Sequence, residues 1–390
     1  MRLWRRASAV VLLVIGAMAA SVSFAQAMPQ LLIDMRTNEV LYENEAGVPW
    51  HPASLTKLMT ALIAFEAIET GQASLATPVI TSANALSVPP SKMGFPVGTA
   101  ITMEDALYFL IIKSANDIAI AIGETIAGSE PAFIEMMNAR ARMMGLTGTH
   151  FVNPHGLHDP AQVTTARDMA MIALTIRARF PQYDAIFSTR TVETGQTRMH
   201  TNNELLTSFE GTDGMKTGYI CASGLNVVAT ALRGGRHLMA VTFGANSSRE
   251  RGEMTAQMLF SGFAGGYRGT GRNVLDIVNQ TGLLPVDMRA NICGANAEQY
   301  RAERAEAFSA GLEGQISYLN DTIVPPTHRA TILGRLADVP LPRPRPAMPG
   351  SPSVAANDNE EVATTGFGDS SIISLQPSGQ SGSSLAQPFL

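Results

Sequence analysis

The 390 residues contain only two cysteines, Cys221 and Cys293, and no Cys-x-x-Cys pair, which excludes a structural zinc site built from cysteines. Whether the two bond to each other in an oxidising compartment is a matter of Cα separation that sequence leaves open. Runs of Lys or Arg are missing beyond the first six residues and the formal net charge is -5, so there is no basic stripe to follow a phosphate backbone and no nucleic-acid partner is expected. No His-Glu-x-x-His motif and no internal repeat occurs. The segment from Pro340, PLPRPRPAMPGSPS followed by a Ser-, Gly- and Gln-rich tail, has too few apolar residues to bury a core, and residues 340–390 are expected to be disordered. Its final SSLAQPFL is too short and too polar for an amphipathic anchor, which leaves membrane association open.

What the chain does have, at 45% hydrophobic residues, is material for a large core. Arg2, Arg5 and Arg6 precede an apolar stretch from about Ala7 to Phe24 that ends in Ala25-Gln26-Ala27, the pattern of an export signal cleaved after Ala27. A retained anchor helix is the alternative. Either places the rest outside the cytoplasm, in the periplasm or on the outer face of the cytoplasmic membrane. Leu31 to Ile33 and Val40 to Tyr42 read as two short strands joined by a turn. Leu55, Leu58, Met59, Leu62, Ile63 and Phe65 have helical spacing from Ser54 onward, and two further helical runs flank Lys113-Ser114-Ala115. Late in the chain, apolar runs flank Arg233-Gly234-Gly235-Arg236, a hairpin signal. Strands, then helices, then antiparallel strands predict an α+β domain in which helices flank an antiparallel sheet. The expected division is a signal over 1–27, a catalytic domain over 28–264, an extension of unknown role over 265–339 and the tail.

Chemistry is concentrated in three places. Ser54-Leu55-Thr56-Lys57 sets a hydroxyl and an amine three residues apart on one helical face at a helix start, where free N–H groups favour an oxyanion. Such a lysine serves as base only if burial or a second cation lowers its pKa. Ser114-Ala115-Asn116 falls between helical runs, where a loop presents a hydroxyl and an amide. Lys216-Thr217-Gly218 reads as a strand with a cation for a carboxylate and a glycine that admits another backbone. Alone, each motif is equally well an N-cap, a helix junction or a turn; together and in this order they are specific.

With PASLTKLMT, IIKSAND, HFVNPHGLHDP, TTARDMA and DGMKTGYICASG, the chain from about Leu31 to Phe263 resembles the low-molecular-mass penicillin-binding D-alanyl-D-alanine carboxypeptidases. The resemblance implies a β-lactamase/transpeptidase-like fold and a serine peptidase without cofactor or metal that removes D-alanine from peptidoglycan stem peptides. It implies that Ser54 is acylated, by β-lactams as well, and that Lys57 is its base. Ser114 and Asn116 would assist proton transfer and hold substrate, Lys216 and Thr217 would bind the terminal carboxylate, and backbone N–H groups of Ser54 and Tyr219, which follows Gly218, would hold the oxyanion. Two departures stand out. Thr201-Asn202-Asn203-Glu204 lacks a basic residue the family often has there, which shifts carboxylate recognition toward Arg251 or Arg249, and no second all-β domain is recognisable after Phe263. A D,D-endopeptidase, using the same residues on cross-links, is the near alternative. More distant are a class A β-lactamase, for which no clear Glu-x-x-x-Asn occurs between Asn116 and Lys216, and a non-catalytic wall-binding protein. His150, His155 and His158 read as a structural loop, with a zinc peptidase the weaker alternative.

Overall fold

The computed structural model describes residues 28–335, all within one compact unit; the expected signal and the Pro-rich tail lie outside the described residues. Its strands are β1 (Gln30–Asp34), β2 (Glu39–Asn44), β3 (Pro78–Ile80), β4 (Thr99–Thr102), β5 (Thr191–Thr194), β6 (Thr197–His200), β7 (Thr212–Ile220), β8 (Gly224–Arg233), β9 (Arg236–Ala245), β10 (Thr327–Arg329) and β11 (Ile332–Arg335). The principal sheet has the order β2-β1-β9-β8-β7 with every neighbouring pair antiparallel. Leu32 of the first hairpin therefore pairs with Ala240 of the last strand. The expected α+β architecture is what forms. Gly234 and Gly235 make the tight β8–β9 turn with φ of 56° and 76°, the two left-handed positions such a hairpin requires.

Period-two alternation sorts the sheet into two buried faces. Leu31, Ile33, Val228, Met239, Val241 and Phe243 face the main helical core. Leu32, Val227, Ala229, Ala231, Leu238 and Ala240 face a smaller cluster with Ala256 and Leu259. Covering both faces explains why these strands are apolar almost throughout rather than at alternate positions.

Five helices matter for the site: α1 (Lys57–Glu69), α2 (Asn116–Ala127), α3 (Ala166–Arg179), α4 (Ser248–Phe263) and α5 (Ala297–Ala307). Sequence spacing predicts one buried face for α1, whereas every residue from Lys57 to Phe65 is buried, so α1 is the central helix of the main core. Thr165 and Ser247 cap α3 and α4 by accepting from the backbone N–H of Asp168 at 3.1 Å and of Glu250 at 3.2 Å.

Beyond Gly265 the chain runs back over this body. Asn279 donates to Asp168 and accepts from Thr165, both at 2.9 Å, β10 pairs in parallel with β5, and β11 adds to the antiparallel β3–β4 pair at β4. Near β10, His328 stacks on Tyr108 with ring centroids 3.5 Å apart and contacts Asp105 at 2.7 Å. A disulfide joins Cys221, just after β7, to Cys293. Closing a span of 72 residues is worth about 4 kcal/mol in the chain-entropy account. The urea midpoint is therefore expected to fall markedly when reductant is added, and a midpoint indifferent to reductant would show that the bond does not form.

Candidate active site

Ser54 sits in a 3-10 turn, Ala53–Thr56, that runs directly into α1. Ala53 just before it has φ of 47°, a left-handed conformation that costs a residue with a Cβ roughly 1–2 kcal/mol. One turn on, Lys57 is fully buried, with Nζ 3.1 Å from Ser54 Oγ, 2.8 Å from Asn116 Oδ1 and 2.6 Å from the carbonyl oxygen of His155. The Asn116 amide is held in that orientation because its Nδ2 donates to the Pro89 carbonyl at 3.0 Å. A neutral amine has two N–H bonds and one lone pair. Asn116 and His155 offer only acceptors, so they take the N–H groups and leave the lone pair toward the Ser54 hydroxyl. Burial above all, with the nearby Lys216 charge second, pushes the Lys57 pKa well below the ordinary lysine value, against a smaller upward pull from Asp117.

The second motif hangs from a π-helical turn, Phe109–Lys113, that ends on Ser114 with φ of 59°. This left-handed residue turns the chain between two helices. Ser114 Oγ accepts from Lys216 Nζ at 3.0 Å, and a second Lys216 N–H goes to the Thr217 carbonyl at 2.9 Å. Lys216 is buried as well; desolvation first, and Arg251 next, lower its pKa to about 7.

Ser54, Ser114, Asn116, Thr217, Gly218, Tyr219 and Arg251 line one cavity of about 410 Å³, with Lys57 and Lys216 behind its wall. β7 closes one side as the last strand of the sheet, so its outer edge faces this space. Gly218 admits a close neighbour as expected, but that neighbour is the chain itself: a Cβ there would lie 3.0 Å from both Ser54 N and the Pro52 carbonyl oxygen. Of the two arginines offered for the missing basic residue, Arg251 lines the cavity, tied to Glu204 and to the Asn202 carbonyl at 2.6 Å. Arg249 turns away to the carbonyls of Phe308 and Ala310 at 3.1 and 2.5 Å.

The profile of the D-alanyl-D-alanine carboxypeptidase family, peptidase S11, matches residues 17–247. The chain belongs to this family. Its relatives include the D-alanyl-D-alanine carboxypeptidases DacF of Bacillus subtilis, 32% identical over 61% of this chain and 62% of that protein, and DacC of Escherichia coli, 35% identical over 60% of each. The chain thus spans about three fifths of the length of these curated relatives. Among solved structures, penicillin binding protein 5 from Haemophilus influenzae superposes with a TM-score of 0.58 at 31% identity, covering 63% of this chain and 73% of that one. Penicillin-binding protein D2 from Listeria monocytogenes, in its cefotaxime-bound form, gives 0.55 at 26% identity over 60% and 96%.

Sequence reading missed the His155 carbonyl, although HFVNPHGLHDP flags its loop. Burial first, then Lys57, lowers the His155 pKa to about 3, and its Nδ1 accepts from Leu157 N at 3.1 Å. His158 instead packs edge-on against His51, 5.0 Å between ring centroids. Also missed was Glu204, which occupies the departure from the family pattern and anchors Arg251. Since Gly218 abuts the Ser54 turn, Gly218→Ala is expected to destabilise this S11-family chain by about 1–3 kcal/mol in chemical unfolding; no loss would mean that the turn yields freely.

Proposed function

We propose that the chain is a serine D-alanyl-D-alanine carboxypeptidase that acts on peptidoglycan stem peptides outside the cytoplasm and is acylated by β-lactams. The observation that carries the reading is the buried Lys57 amine, whose two acceptor neighbours leave its lone pair for Ser54. In this reading Lys57 Nζ takes the Ser54 proton while Oγ bonds to the scissile carbonyl carbon. The resulting oxyanion is held by the backbone N–H groups of Ser54 and Tyr219, a role supported by the close approach of Gly218 to Ser54 N. The tetrahedral carbon collapses, the C–N bond breaks, and the proton passes from Lys57 through Ser114 to the departing D-alanine nitrogen. Water, deprotonated by Lys57, then cleaves the ester. Cationic Lys216, Thr217 and, beside them, Arg251 receive the substrate's terminal carboxylate, while Asn116 holds both Lys57 and the peptide. Residues 28–264 supply the catalytic body, and 1–27 serve as export signal; no described helix is long and apolar enough to cross a membrane.

D-Alanine release from a stem pentapeptide is expected, with a loss of at least about 10³-fold in Ser54→Ala. Release confined to a cross-linked dimer substrate would instead assign an endopeptidase, and no release from either by folded protein would refute the peptidase reading.

The two lysines also set a pH profile. On the acid side kcat/KM rises as Lys57 loses its proton. It falls again as pH climbs through about 7, because Lys216 then loses the charge that receives the carboxylate. Lys216→Arg, whose guanidinium stays charged, should shift the alkaline limb upward; an unmoved limb would assign that titration elsewhere.

A further inference from the structure

Next to the site lies a second hollow of about 290 Å³, which shares Tyr219, Leu225 and Ser248 with the first. Its far wall includes Asn291 and Arg301, from a part of the chain beyond residue 247, where the family match ends. That wall is tied to the substrate strand: Cys221 directly follows β7, Cys293 follows Asn291 by two residues, and the disulfide between them lies under the Tyr219 hydroxyl, 3.2 Å from Cys293 Sγ.

Arg301, on the second turn of α5, is exposed and has no ion-pair partner among the described residues. Other arginines of this region are neutralised, Arg304 by Glu250 at 2.7 Å and Arg289 by Asp287. Glu250, which contacts the lining residue Asn246, is fully buried and taken up by Arg304 and by Asn246 Nδ2 at 2.7 Å. Asn291 Oδ1 accepts from Asn296 Nδ2 at 3.2 Å, which turns the Asn291 Nδ2 donor to the other side. The hollow therefore presents a cation and an amide, and none of the residues lining it is acidic.

Building on the carboxypeptidase reading, in which the terminal carboxylate sits at Lys216 and Thr217 and the scissile carbonyl at Ser54, the acyl side of the peptide continues along β7 past Tyr219 toward this hollow. We propose that Arg301 and Asn291 form an acyl-side subsite for a side-chain carboxylate on the residue preceding the D-alanyl pair, so that the disulfide-tethered extension sets substrate preference.

The test uses the full chain and two peptides, N-acyl-X-D-alanyl-D-alanine, in which X ends either in a carboxylate or in the corresponding carboxamide. An exposed pairing of this kind predicts a carboxylate preference in kcat/KM of about three- to five-fold. Arg301→Ala should bring the ratio near one while the carboxamide substrate turns over as before, and Arg301→Glu should invert it. Asn291→Asp, which adds an anion while keeping Arg301, should also lower the ratio. An equal change for both peptides, or a ratio that no variant moves, overturns the subsite and leaves the Ser54 chemistry standing. Turnover of neither peptide by the unmodified chain overturns both.

Discussion

A lysine nitrogen buried in an apolar core would be prohibitively costly as an unpaired ammonium, and the way this fold accommodates Lys57 constrains much of the remainder. Helix α1 is buried on all sides from Lys57 to Phe65, so it cannot rotate to release Lys57 to water without exposing Leu58, Leu62 or Phe65. Burial first, and the Lys216 charge next, therefore press the amine toward its neutral form, and it finds oxygen partners inside. Those partners come from distant stretches: the turn before α1, the start of α2, and the loop around His155. One nitrogen thus fixes the relative position of segments up to 98 residues apart.

The cations behind the cavity form a graded series. Glu204 compensates Arg251, while burial first and Arg251 second lower Lys216, and burial first and Lys216 second lower Lys57. Since a nearby cation disfavours protonation of a lysine, each member adds to the shift that burial begins in the next. Glu204 is the informative member. It lies in the Thr201–Glu204 stretch, which lacks a basic residue, and its pairing with Arg251 leaves a compensated guanidinium at the cavity wall. Lys216, by contrast, donates to Ser114 Oγ and the Thr217 carbonyl and pairs with no carboxylate among the described residues.

The sheet was legible because alternation and turn chemistry are local. Leu31-Leu32-Ile33 and the Gly234-Gly235 turn declare strands without knowledge of their partners. The spacing of Ser54 and Lys57 was legible for the same reason, since three residues on a helix fix proximity. The third ligand of Lys57 was not, because a backbone carbonyl belongs to every residue and nothing in His155 marks its oxygen as special. β10 and β11, at three and four residues, are too short to show a period, and their pairing with β5 and β4 is decided by packing rather than propensity. The Cys221–Cys293 bond lay beyond reach because sequence does not report a Cα separation of 5.6 Å.

Left-handed backbone at Ala53 and Ser114 occurs where side chains enter the cavity, and neither residue gains locally from that conformation. Such geometry persists only where the surroundings over-determine it. For Ala53 the clamp is the β7 edge at Gly218 on one side and the Thr56 hydroxyl, donating to the Ala53 carbonyl at 2.8 Å, on the other. For Ser114 it is the Lys216 amine in front and, beside it, Ser91, whose hydroxyl donates to the Lys113 carbonyl at 3.1 Å. Both clamps therefore depend on β7, and β7 continues into the disulfide that holds the extension in place. An extension that carries none of the three motifs is in this way mechanically continuous with the strand on which they converge.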